Sequence, residues 1–353
     1  MDATEPRPTF VPTSYPGILH HYTKDLTAFE FDSPVLRSSS NGGRKPNTLL
    51  FIAGLGDNLL TVPYVSDLVK TGWSVVQVLI SSTASGWGTG TLTRDAKELA
   101  LCISYFKIQL SRPKVVVLGH STGCQDIMYY LCRLEVSQQA HGQLDGAILQ
   151  APVSDREALA AMMGKETYER SWKHAQRLIK SGRGGEIMPA QITKDVFDAP
   201  CSAFRWYSLT SPNMDGEDDF FSSDIGEEQL EGTFGAVVPA GTPLLVVYSG
   251  EDEFVPVTVD KEGLVGRWIG VCVRKGVNVD VENSGVVKKA THNFAGCEEG
   301  VFGEFLGRVG RFLKAVEEGG KLKGGNIAAT TSNNTVGVSG AGGLGGGLVS
   351  SKV

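Results

Sequence analysis

Five short stretches of the chain are almost wholly apolar, and they recur at intervals: TLLFIA (48–53), SVVQVLI (74–80), KVVVLG (114–119), GAILQA (146–151) and PLLVVYSG (243–250). Runs without polar alternation suit strands covered on both faces, as in a parallel sheet flanked by helices. Between them lie segments with the apolar spacing of amphipathic helices, at 94–110, 125–138 and 257–275. Strands alternating with helices predict an α/β fold wound with right-handed crossovers. Two more strands, joined by a turn at Lys24-Asp25, are expected in GILHHYTKDLTAFEF (17–31), and a polar surface loop in SSSNGGRKPN (38–47).

Two segments break the alternation. About ninety residues separate the fourth and fifth apolar runs, far more than an ordinary connection. They open with a long helical pattern from Asp155 to Gly182 and continue into aromatic and acidic stretches. This predicts a helical cap over the carboxyl edge of the sheet, inserted before the last apolar strand. The expected division is a core of residues 1–152 and 241–318, a cap at 153–240, and a tail at 319–353 too rich in Gly, Ser and Asn to fold. The last residues, Ser351-Lys352-Val353, differ from a peroxisomal Ser-Lys-Leu signal in ending on valine.

Bulk properties narrow the function. A chain of 353 residues, 41% hydrophobic, buries a large core. A net charge of −6 without a basic stripe argues against nucleic acid as a partner. The start, MDATEPRPTF, lacks the features of a secretory signal, and no run approaches the length of a membrane span. Six scattered cysteines without Cys-x-x-Cys spacing fit a reduced, cytoplasmic protein.

The third apolar run leads straight into Gly119-His120-Ser121-Thr122-Gly123, with a helical pattern after it. Strand, G-x-S-x-G and helix in that order are the context of a nucleophile elbow. The turn is so tight that side chains at 119 and 123 would strike neighbouring backbone, and the helix N-terminus favours negative charge developing at Ser121. A helix N-cap serine is the plainer alternative. A nucleophilic serine needs a base and the base an orienting acid, which in α/β-hydrolases follow in the order Ser, acid, His. Beyond the last apolar run only His292 remains, in KKATHNFAG. The acid is expected directly after PLLVVYSG, where EDEFVP selects Asp252, with Glu251 and Glu253 as solvated neighbours and Asp155 as runner-up. The oxyanion requires two backbone N–H donors: Thr122, and Leu55 in the loop AGLGDN, with Gly56 as alternative. Trp87, Trp206, Tyr207, Phe220 and Phe221 are candidate substrate contacts.

Other chemistries fit poorly. His20 and His21 point to opposite faces of a strand and make a poor metal pair. GLGDN lacks the rest of a dinucleotide fingerprint, and no phosphate-binding loop motif occurs. Cys124 lies one helical turn past the elbow and reads as core. No metal or cofactor is expected.

Taken in order, FIAGLGDN, SSTASGWGTGTL, VVVLGHSTGCQDIMYYL, YSGEDEFVP and ATHNF resemble a fungal α/β-hydrolase family known as a domain of unknown function, DUF1749, over roughly residues 10–315. GHSTGCQD is the most specific piece. The resemblance carries the serine, acid and histidine onto Ser121, Asp252 and His292. It implies a small-molecule ester substrate, an ester-linked fusarinine-type ferric hydroxamate siderophore hydrolysed inside the cell, without nucleic acid or membrane. The acidic run between Asp215 and Glu231 is either a solvated, mobile loop or, on the same resemblance, a rim attracting a cationic substrate. A general carboxylesterase or lipase, a non-catalytic binding protein on the same fold, and a serine acyltransferase or peptidase remain as rival readings. Oligomeric state is not readable from the sequence.

Overall fold

The computed structural model describes residues 14–132, 144–194, 196–237, 241–319 and 322. The strands are β1 (Gly17–His21), β2 (Thr27–Phe31), β3 (Thr48–Ile52), β4 (Ser74–Leu79), β5 (Val115–His120), β6 (Gly146–Gln150), β7 (Leu244–Ser249) and β8 (Gly285–Val287). They form one sheet in the order β1-β2-β4-β3-β5-β6-β7-β8. β2 runs antiparallel to both β1 and β4, and every pair from β4 across to β8 is parallel. This is the α/β-hydrolase fold.

The continuous apolar runs are explained by two-sided burial. Within β3, Leu50 and Ile52 join Val76, Val117 and Leu149 on one face. Leu49 and Phe51 join Val75, Val116 and Ile148 on the other. Each such side chain stabilises the fold by roughly 1.5–3 kcal/mol relative to exposure. The first face is covered by helices α2 (Leu92–Ser104), α3 (Gly123–Cys132) and α9 (Lys261–Lys275). The second is covered by α10 (Glu299–Glu317) and a 3₁₀ turn at Val65–Thr71. The chain leaves β3 toward β4 but leaves β5 toward β6, on opposite sides. The carboxyl ends of β3 and β5 therefore flank a topological switch point, where open α/β sheets place their ligand crevices.

Several expectations shift in detail. The segment expected as a polar loop begins as helix α1 (Pro34–Ser40), because Ser33 caps it by accepting the Leu36 N–H and proline occupies its first turn. The long helical pattern after Ser154 is two helices, α4 (Asp155–Met163) and α5 (Lys165–Lys180), divided at Gly164 with φ 72°. α9 starts at Lys261, where Asp260 caps it, rather than at 257. The expected end of α3 at 133–138 and nearly all of the tail at 319–353, including Ser351-Lys352-Val353, lie outside the described residues.

The insertion between β6 and β7 divides by packing. α4, α5, α6 (Ala190–Thr193) and α7 (Ala203–Thr210) bury Leu159, Ala175, Met188, Trp206 and Leu209 around Trp87 in a cluster of their own. The later part, including α8 (Glu227–Gly232), instead sends Phe220, Phe221, Ile225, Leu230 and Phe234 into the sheet's first apolar layer against Trp268 of α9. The acidic run between Asp215 and Glu231 is mostly tied down, which corrects the expectation of a free acidic rim. Asp218 is buried on Arg205 at 2.5 Å, and Asp219 and Asp224 both hold Arg156. Glu217 accepts the Leu92 N–H at 3.0 Å, while Glu227 and Glu231 pair with Arg274 and Lys275. A carboxylate engaged by a cation contributes little to a long-range field.

Candidate active site

Ser121 stands immediately after β5 with φ 54°, in the left-handed region that costs a serine roughly 1–3 kcal/mol. The surroundings hold it there. Its N–H donates to the Gln150 carbonyl at 3.1 Å, and its own carbonyl accepts the Cys124 N–H at 2.8 Å as α3 begins. The glycines permit this packing: a Cβ on Gly123 would collide with the Ile52 carbonyl oxygen, and one on Gly119 with the Gly123 carbonyl. Across the gap, a Cβ on Gly54 would lie 2.7 Å from the Ser121 Cβ, so that loop approaches the serine only as glycine. Cys124 is fully buried, and burial holds its thiol well above the usual range, which leaves it a core residue.

The structure brings Asp252 and His292 together. The acid follows β7, the histidine follows β8, and Asp252 Oδ2 lies 2.7 Å from His292 Nδ1, with both residues buried. Asp252 Oδ1 accepts the Phe254 N–H at 3.0 Å, so both carboxylate oxygens are engaged. Lys261 donates to the Gly250 carbonyl at 2.8 Å and clamps the base of this loop. Glu253 is more than the solvated neighbour expected of it: its Oε2 accepts the His292 backbone N–H at 2.9 Å. Glu251 is exposed. The runner-up Asp155 has no bond to His292; it accepts from Gln125 Nε2 at 2.8 Å.

Behind His292 lies a buried polar cluster that the sequence reading did not anticipate. Gln150, at the end of β6, donates to the His292 carbonyl at 3.1 Å. Its Oε1 accepts from Tyr64 Oη at 2.7 Å and meets His120 Nδ1 at 2.5 Å. The His120 ring sits 4.8 Å from that of His292. Burial, reinforced by His292, pushes His120 down to about 3, so its imidazole is neutral. The one legible signal was a glutamine at the end of an apolar strand, where only a polar task at the carboxyl edge accounts for it.

The loop after β3 is pinned by Asp57, whose Oδ2 accepts the Gly54 N–H at 3.1 Å and whose Oδ1 accepts from Thr61 Oγ1 at 2.8 Å. Gln77 of β4 holds the same loop through the Asn58 carbonyl and the Leu60 N–H. Leu55 and Thr122 both line the cavity at Ser121, and neither backbone N–H donates to an acceptor among the described residues.

That cavity, about 300 Å³, is bounded by Ser121, His292 and Asp155 and by apolar side chains of Leu55, Val153, Leu159, Met162, Val196, Phe197 and Phe254. Met162 and Phe254 are exposed, and Phe254 packs edge-on against the His292 ring at 4.7 Å. The five aromatic candidates for substrate contact are a correction: none lines the cavity. Trp87 and Trp206 are buried in the insertion's own core, with Tyr207 packed against it. Phe220 and Phe221 are buried in the sheet's core. Aromatic residues bury the most area per side chain, so structural cores draw them as strongly as binding sites do. Phe197 and Phe254 take the place expected of them. Among the described residues no cluster of three or more His, Cys, Asp or Glu could hold a metal ion, no helix is long and apolar enough to cross a membrane, and no cysteine forms a disulfide.

The model for the family described as protein of unknown function (DUF1749) matches residues 10–314. The chain belongs to this family. It is 37% identical to the fusarinine C esterase sidJ of Aspergillus fumigatus over 336 residues, 82% of this chain and 93% of that protein. It is 36% identical to the esterase AN6793 of Emericella nidulans, covering 88% of this chain and 95% of that one. Among solved structures, the siderophore hydrolase EstB from Aspergillus fumigatus superposes with a TM-score of 0.72 at 35% identity, covering 86% of this chain and 98% of that one.

Proposed function

We propose that this protein is a serine esterase that hydrolyses the ester bonds of fusarinine-type ferric hydroxamate siderophores. The carrying observation is the Asp252–His292 pair at 2.7 Å, in the same cavity as a serine held at φ 54° on an elbow. The Ser121 hydroxyl attacks the ester carbonyl while His292 Nε2 accepts its proton. Asp252 fixes the Nδ1–H tautomer and stabilises the imidazolium. The tetrahedral oxyanion is held by the N–H groups of Leu55 and Thr122, each worth roughly 3–4 kcal/mol to the transition state. The imidazolium passes its proton to the leaving alcohol, and water then releases the acid from the acyl-enzyme by the same steps.

The substrate class rests on the relatives named as a fusarinine C esterase and a siderophore hydrolase. A cavity of about 300 Å³ suits one acyl arm, with the bulk of the chelate at a mouth formed by exposed Met162 and Phe254. In this reading only the first part of the insertion expected as a cap at 153–240, residues 153–219, shapes the cavity, the remainder being packed into the sheet's core. Six cysteines outside disulfides accord with a reducing compartment, so hydrolysis would free the iron in the cytoplasm.

Ser121→Ala is expected to fold normally and to lower turnover of ferric fusarinine C at least a thousandfold, and a fluorophosphonate should label the wild-type protein at Ser121 alone. A variant keeping a tenth of the wild-type rate would sink the nucleophile assignment. Rapid hydrolysis of short nitrophenyl esters with none of ferric fusarinine C would leave a general carboxylesterase.

A further inference from the structure

Among the described residues, the cavity at Ser121 is lined by two carboxylates, Asp57 and Asp155, and by no lysine or arginine. They are not equivalent. Both oxygens of Asp57 are occupied by the loop it pins. Asp155, in the first turn of α4, has a partner on one oxygen only: Oδ2 accepts from Gln125 Nε2, which also bonds the Val153 carbonyl. Its Oδ1 has no hydrogen bond among the described residues and is not sealed from the cavity.

The apolar walls of the same cavity include Val153, Ala158, Leu159 and Met162. A carboxylate with one open oxygen among such neighbours is poorly solvated, and burial pushes Asp155 up to about 7. Of the other charges acting on it, Asp218 is bonded to Arg205, and Asp219 to Arg156. His292 faces the same cavity but is bonded to Asp252. None of these groups supplies a cation to the open oxygen.

We propose that Asp155 selects the substrate by receiving a protonated primary amine, carried on the acyl portion of the ester, at its open carboxylate oxygen. The inference rests on the reading of the cavity as an ester-hydrolysing site. An ammonium brought against Asp155 replaces missing solvation with a charge-assisted hydrogen bond and restores the ionised carboxylate. A substrate with a carboxylate at the same place either meets like charge or must hold Asp155 protonated, with no cation lining the cavity among the described residues to compensate, so the cavity disfavours ω-carboxy acyl chains while tolerating neutral ones.

Three nitrophenyl esters with acyl chains of equal length, ending in methyl, ammonium or carboxylate, test this on the full chain. For the wild type, kcat/KM should follow ammonium, methyl, carboxylate in descending order. Asn at this position still accepts from Gln125 but carries no charge, so Asp155→Asn should lower the ammonium-to-methyl ratio of kcat/KM at least tenfold. Asp155→Glu, which keeps the charge, should preserve the order. An unchanged ratio in an active Asp155→Asn variant overturns the proposal and leaves the esterase reading standing. Equal losses on all three esters, with the pH profile of turnover altered, would make Asp155 part of the proton relay and also overturn it. A wild type that hydrolyses none of the three, and takes no fluorophosphonate label, overturns both readings together.

Discussion

At the scale of single residues, the sharpest contrast lies within three consecutive acids. Asp252 contacts the His292 ring, Glu253 contacts the His292 backbone, and Glu251 is exposed. In the proposed mechanism only the first fixes the imidazole tautomer. Asp252→Asn should therefore lower kcat by about three to four orders of magnitude. Glu253→Gln, which can still accept the His292 N–H, should cost less than tenfold, and Glu251→Gln should be near wild type. Steady-state rates on one nitrophenyl ester rank the three. A near-normal Asp252→Asn beside a more damaged Glu251→Gln or Glu253→Gln would remove Asp252 from the mechanism.

At the scale of elements, the elbow works because β5 and α3 meet at a separation that no side chain can occupy. Gly123 is the first residue of α3 and abuts the Ile52 carbonyl at the end of β3. Gly123→Ala should force α3 away from β3, moving the Thr122 N–H and the Ser121 hydroxyl together. A displacement near 1 Å can cost about a hundredfold in rate. The expected outcome is a loss of at least tenfold in kcat with a melting temperature lowered by several degrees, read by ester hydrolysis and thermal unfolding. Gly266→Ala serves as a control, since a Cβ at that position of α9 meets nothing. Equal behaviour of the two variants would show that the close approach is not what Gly123 provides.

At the scale of the whole molecule, desolvated titratable groups make stability depend on pH, and two of them, buried His120 and half-buried Asp155, act with opposite sign. His120 is pushed from 6.5 down to about 3. Between those values the unfolded chain binds a proton that the folded one refuses, so stability is lost as pH falls from about 6.5 toward 3. Asp155 is pushed from 3.8 up to about 7. The folded chain holds that proton first, so its contribution is fully present below 3.8 and is lost as pH rises through about 7. On acidification from pH 6.5 to 4.5, His120→Asn should lose less stability than wild type, by on the order of 2 kcal/mol. Asp155→Asn should lose more. Denaturant midpoints across that range check both signs, and parallel curves for all three proteins would contradict the assigned environments.

What the sequence determined by itself follows from local rules. Continuous apolar runs specify two-sided burial, hence the parallel sheet. A serine between glycines at a strand–helix junction specifies the elbow, because the sterics act within five residues. Chain order then singles out His292, and the loop EDEFVP favours Asp252 over Asp155; the structure brings Asp252 and His292 to 2.7 Å. The tertiary structure decided everything that depends on partners distant in sequence. The acids from 215 to 231 look like a charged rim until Arg156, Arg205, Arg274 and Lys275 arrive from other segments. Phe221 and Trp206 look like binding aromatics, yet an aromatic ring carries no local mark of whether it meets a ligand or Trp268. Gln150 and Asp155 take their places only when β6 and α4 close against Tyr64, His292 and Gln125. Sequence spacing sets which way a side chain points along its own element, whereas what it touches is set by packing between elements.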